Sequence, residues 1–119
     1  MTDKKRKTTQ GQFKRFRAEC LRLQREWGLT EWELSFRCDV LDGAYADIAA
    51  DYSGMTATLR LSSEVDAADD LMDAEGCAKH EMLHLLTAEL HACGATRFMS
   101  QREMDGAWEK VSRRLEKIV

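Results

Sequence analysis

Apolar residues from Gln10 onward fall at Phe13, Phe16, Cys20, Leu23 and Trp27. Steps of three and four mark one face of a helix. Gly28 follows the last of them and reads as the residue just past a helix C-terminus. The period then changes. Trp32, Leu34, Phe36 and Cys38 alternate with Glu33, Ser35 and Arg37, the period of a strand. Asp42-Gly43 marks a turn, and Tyr45 to Tyr52 is a second, alanine-rich strand candidate. After Ser53-Gly54, a third strand is predicted from Met55, Ala57, Leu59 and Leu61 alternating with Thr56, Thr58, Arg60 and Ser62. Residues 63–72 read as an acidic, irregular segment. A long helix is predicted from about Asp73 to about Cys93, ended by Gly94. A last helix is predicted from about Ser100 to Ile118, with Met104, Ala107, Trp108, Val111, Leu115 and Ile118 as its apolar stripe.

These elements predict an α+β domain over residues 10–119. A basic N-terminal helix precedes a three-stranded, mostly antiparallel sheet and a pair of helices. Residues 1–9 read as a flexible basic tail. A length of 119 residues suits one domain able to bury a core without staples. Hydrophobic residues at 44% and charged residues at 33% fit a soluble globular chain. No apolar run is long enough to span a membrane. No apolar run follows the Lys4–Lys7 cluster, so a secretory signal is not expected. Cys20, Cys38, Cys77 and Cys93 are widely spread and form no C-x-x-C, which argues against a cysteine zinc ribbon and a disulfide framework. The expected compartment is the cytoplasm.

Charge changes the picture at one end only. Residues 1–25 carry nine basic side chains against Asp3 and Glu19, so the remainder bears −10 of a total of −3. Such an arm could dock on nucleic acid. No aromatic residue interleaves Lys4 to Lys7 as a stacking platform would, so a solvated terminus and polar helix face is the favoured reading.

The candidate chemistry lies at His80-Glu81-Met82-Leu83-His84, which matches H-E-x-x-H. Residues four apart share a helix face, with Cβ atoms about 5–6 Å apart. Two imidazoles so placed can hold one Zn²⁺, and Glu81 can act as general base on a zinc-bound water. The competing reading is an ordinary amphipathic helix carrying two histidines. Against it, two of only three histidines occupy the motif, inside a predicted helix.

A third ligand is then needed. His91 lies about 20° from His80 around the axis. It follows His84 by seven residues, about 10.5 Å along an unbroken helix, and nothing between Leu85 and Leu90 is expected to break it. His91 therefore reads as a groove-lining or core histidine. Glu103 is the preferred ligand: a short connection through Gly94 would return the last helix antiparallel, with Glu103 near its start. The alternative is that Ser100-Gln101-Arg102-Glu103 spells a capping box.

H-E-x-x-H with a downstream helical glutamate resembles the gluzincin branch of zinc metallopeptidases. The layout is closest to small metallopeptidases carried by phages and prophages. The resemblance runs from about Leu29 to Val119. It is carried by Trp32-Glu33-Leu34, Ala57-Thr58-Leu59-Arg60-Leu61, the motif with Leu85-Leu86, and Glu103. It implies peptide-bond hydrolysis with one zinc per chain, His80, His84 and Glu103 as ligands, Glu81 as base, and a bacterial host cytoplasm as the setting. The rival expectations are a non-catalytic zincin-like binding module and a protease docked on nucleic acid through residues 1–25.

Among the other residues, Cys77 could approach the metal but reads as a small buried helix residue. Tyr45 and Tyr52 could stabilise an oxyanion but read as strand packing. Trp27, Trp32 and Trp108 read as core or core-edge aromatics. The acidic Asp66–Asp73 segment does not match a calcium loop. An extended peptide is expected to pair with an exposed sheet edge at Met55–Ser62.

Overall fold

The computed structural model describes residues 5–66, 73–95 and 100–116. In chain order the elements are β1 (Lys5–Lys7), α1 (Gln10–Glu26), β2 (Glu33–Asp39), β3 (Ala46–Asp51), β4 (Thr56–Ser62), β5 (Glu64–Asp66), α2 (Ala74–Leu86), α3 (Ala88–Ala95) and α4 (Gln101–Glu116). The fold is α+β, as the two hydrophobic periods predict. None of the described helices is long and apolar enough to cross a membrane.

α1 begins with a capping box. The Thr9 hydroxyl accepts from the Gln12 N–H at 3.0 Å, and the Gln12 side chain accepts from the Thr9 N–H at 2.8 Å. Its apolar stripe buries Phe16, Cys20 and Leu23. Gly28, at φ 69°, ends it in the left-handed region that glycine enters without steric cost. Gln24 then donates to the carbonyls of Leu29 (3.2 Å) and Trp32 (2.8 Å), fixing the passage from α1 to β2.

The sheet is mixed, in the order β2-β4-β3. β4 pairs parallel with β2 (Glu33 opposite Thr56 through Asp39 opposite Ser62) and antiparallel with β3 (Ala46 opposite Leu61 through Asp51 opposite Thr56). Met55–Ser62 is therefore not an edge. β4 occupies the centre, and its hydrogen-bonding groups are already committed on both sides. The edges are β2 and β3. Alternation along β4 buries Ala57, Leu59 and Leu61 against α1 and against Ala78, Met82, Leu85 and Leu86 of α2. Each fully buried leucine or phenylalanine contributes about 1.5–3 kcal/mol, so this sandwich of helices on one sheet face sets the position of α2.

Several expectations change. Lys5–Lys7 do not belong to a tail: they pair antiparallel with β5, and Thr8 donates from its N–H to the Ser63 carbonyl and from its hydroxyl to the Ser62 carbonyl. β5 likewise replaces irregular chain at residues 64–66, while residues 67–72 lie outside the described residues. The long helix is two helices, parted at Thr87 (φ −100°, ψ 4°). The Thr87 hydroxyl lies 3.2 Å from the carbonyls of both Leu83 and His84, a back-bond that competes with the helix ladder. Gly94 falls inside α3 rather than ending it. On α4, Ala107 and Val111 are buried, but Trp108 is 67% exposed and is not a core aromatic.

Candidate active site

Asp73 caps α2, its carboxylate accepting from the Gly76 N–H at 2.9 Å. A Cβ at Gly76 would lie 2.3 Å from the second Asp73 oxygen, so a glycine there leaves room for the cap. From that start α2 lays its apolar side on the core. One exposed turn carries His80 and His84, with ring centroids 5.0 Å apart and planes at 81°. Glu81, one step round the axis, is only 7% exposed. The motif therefore presents two solvent-facing imidazoles beside one dry carboxylate.

Burial pushes the Glu81 carboxyl above the ordinary range of a glutamic acid. The neighbouring His80 and His84 pull the other way, and Asp47 adds to the upward shift, leaving the net shift upward. Asp47 sits on β3 and receives two N–H bonds from Arg60 of β4, one at 2.8 Å and one at 2.5 Å. The two residues are direct cross-strand partners.

Two cavities meet at Glu81. One, of about 480 Å³, is lined by Asp47, Ile48, Tyr52, His84, Thr87 and His91 among others. The second, of about 420 Å³, lies toward Tyr45, Ala46, Asp73, Gly76, Cys77 and His80. β3 contributes to both, so this edge strand, not β4, borders the cleft. His91 does line the groove, as its position along the chain suggests. Cys77 is half-buried next to His80, in the second cavity.

Glu103 takes the capping role. Its N–H donates to the Ser100 hydroxyl at 3.1 Å, and that hydroxyl donates to the Glu103 carboxylate at 3.0 Å. The carboxylate is exposed at the start of α4. Among the described residues, no three or more His, Cys, Asp or Glu side chains gather as a metal-holding group. His80 and His84 thus stand together as a pair of donors, and Glu103 does not join them.

A second polar cluster escaped the sequence reading. Glu89, at the start of α3, is 7% exposed. It accepts from the Tyr52 hydroxyl and from Lys110 Nζ of α4, the latter at 3.0 Å. Its other oxygen is buried and has no partner among the described residues. Burial alone would raise this carboxyl, but Tyr52 and Lys110 outweigh it and hold the group below its ordinary value. Tyr52 also lines the larger cavity and packs edge-on against Trp32 at 6.3 Å. No local motif announces this cluster, because its members lie 37 and 21 residues apart.

No protein-family model, no curated protein and no solved structure matches the chain.

Proposed function

We propose that the protein is a zinc-dependent metallopeptidase. One observation carries the reading: His80 and His84 share an exposed turn of α2, while Glu81 lies buried beside them where two cavities meet. Two imidazoles are ordinary zinc donors, and their spacing suits a single ion. Zinc held there would supply a Lewis acid for the scissile carbonyl and make water acidic near neutrality.

Glu81 moves the protons. Its carboxylate accepts one from the attacking water, and the resulting acid returns it to the amine nitrogen as the C–N bond breaks. Burial raises its proton affinity, which makes it a stronger base than an exposed glutamate. An extended peptide bound in the cleft borders β3, and the cavities on either side of Glu81 accept side chains flanking the scissile bond.

The test is zinc content by elemental analysis after loading and dialysis, with peptide-library cleavage alongside. About one zinc per chain is expected, and Glu81→Gln should keep the metal and lose turnover. No retained zinc in the wild type would return His80 and His84 to ordinary helix residues. Normal cleavage by Glu81→Gln would remove the proton-transfer role. Glu103→Ala in the same series assigns the third ligand: a clearly looser metal would place Glu103 in the coordination set, and an unchanged one would leave it to its cap.

A further inference from the structure

The two cavities that meet at Glu81 differ in chemistry. Beyond the motif the larger is lined by Ile48 and three alanines together with Tyr52, His91 and Asp47, whose carboxylate is already paired with Arg60. The smaller is walled by the Tyr45 ring, the Asp73 carboxylate, Gly76 and Cys77. No lysine or arginine is among the described residues lining either one. We propose that the smaller cavity is a specificity site for a cationic side chain, lysine or arginine, of the bound peptide, and that Asp73 selects it.

Three observations support this. First, one Asp73 oxygen caps α2, while the other lies over Gly76 in space that any larger residue would fill. Asp73 has no cationic partner among the described residues, in contrast to Asp47, which Arg60 neutralises. Second, Tyr45, 41% exposed, lines the same cavity, and an aromatic ring beside a guanidinium or ammonium favours it. Third, Asp73 precedes His80 by seven positions, roughly 10 Å along the helix. A cation held at Asp73 is then about a Debye length from a metal at the histidines, so the two positive charges scarcely oppose each other. A lysine or arginine stem spans that interval with its apolar methylenes and places only its head at the carboxylate.

The inference rests on the peptidase reading for the identity of the ligand, so its test reads binding rather than turnover. The full-length Glu81→Gln protein, zinc-loaded, is titrated with blocked alanine pentapeptides carrying one central arginine or its neutral isostere citrulline. Heteronuclear NMR reports the affinity and the residues that shift. Arginine should bind roughly twofold to fivefold tighter than citrulline, the range of a partly exposed ion pair, with the Tyr45 and Gly76 amides moving. Asp73→Asn keeps the cap, since asparagine caps as well as aspartate, and should abolish the preference while citrulline affinity stays constant. Equal affinities for the two peptides, a preference that survives Asp73→Asn, or no peptide binding would each overturn the proposal. Wild-type cleavage of the same peptides separately tests the peptidase reading: cleavage without an arginine preference removes the Asp73 role alone.

Discussion

Lys110→Met tests the buried carboxylate of Glu89 most directly. The substitution keeps the alkyl stem and removes the ammonium that lies 3.0 Å from Glu89. Glu89 is 8% exposed at its side chain and Lys110 is 60% exposed. Breaking a fully buried pair costs about 3–5 kcal/mol, whereas an exposed pair is worth about 0–1 kcal/mol. With one partner dry and the other wet, and with Tyr52 still donating, about 1–2 kcal/mol is the expected loss at pH 7. For 119 residues, unfolding entropy near 2.1 cal/mol/K per residue turns that into a fall of about 4–8 °C in Tm.

The pH dependence gives the sharper check. Glu89 titrates below its ordinary value in the folded protein, so its contribution is present above the unfolded pKa and is lost as pH falls through the folded pKa. Once the carboxyl is protonated, the ammonium has no charge to meet. The deficit of Lys110→Met should therefore shrink toward zero as pH falls from 7 through the lowered folded pKa of Glu89. Urea denaturation of both proteins across that range measures it. A deficit that stays constant with pH, or one under about 0.3 kcal/mol at pH 7, would refute the argument from a charged, desolvated Glu89.

Other substitutions probe other parts of the argument. In zinc-free protein, Glu81→Gln should raise Tm at pH 7, because burial makes the ionised Glu81 costly; the gain should shrink as pH falls through the raised folded pKa and vanish below the unfolded one. Its turnover should fall by about 10² or more, as for loss of a general base. Gly106→Ala on α4 meets nothing within 4 Å and should stabilise by about 0.5–1 kcal/mol in thermal melts. Gly28→Ala forces an L-residue into φ 69° and should cost about 1–2 kcal/mol by the same measurement.

Where the chain's periodicity is strong, its elements were legible. Phe13 to Trp27 placed α1 to within a residue, and the alternation at residues 32–38 and 55–62 placed β2 and β4. Alternation tells which face of a strand is buried but not which neighbour it takes. The parallel β2–β4 pairing and the central place of β4 were therefore hidden. The split at Thr87 was hidden by the apolar residues around it, although a threonine whose hydroxyl bonds back to Leu83 and His84 marks the place. The Thr9…Gln12 capping box was present to be read and would have moved the start of order ahead of Gln10. Of the site, His80, Glu81 and His84 were legible because four-residue spacing is a local property. Asp47, Arg60 and the Tyr52–Glu89–Lys110 cluster depend on strand order and helix docking, which no local pattern encodes. Ser100 and Glu103 show the converse: the same two residues supported a distal ligand or a local cap, and the cap needs no long-range closure.

The placement of β4 between two strands of earlier sequence has a consequence for the order of assembly. Asp51 and Thr56 pair across five residues, whereas Glu33 and Thr56 pair across 23 and Lys5 and Asp66 across 61. Closing a loop costs entropy that rises with its length, so the β3–β4 hairpin is the inexpensive nucleus and the parallel strand docks on it afterwards. The N-terminal ribbon then fastens last, as a clasp across a body already built. Because β3 borders the cleft and belongs to the β3–β4 hairpin, one wall of the site rests on the most local strand pairing of the sheet.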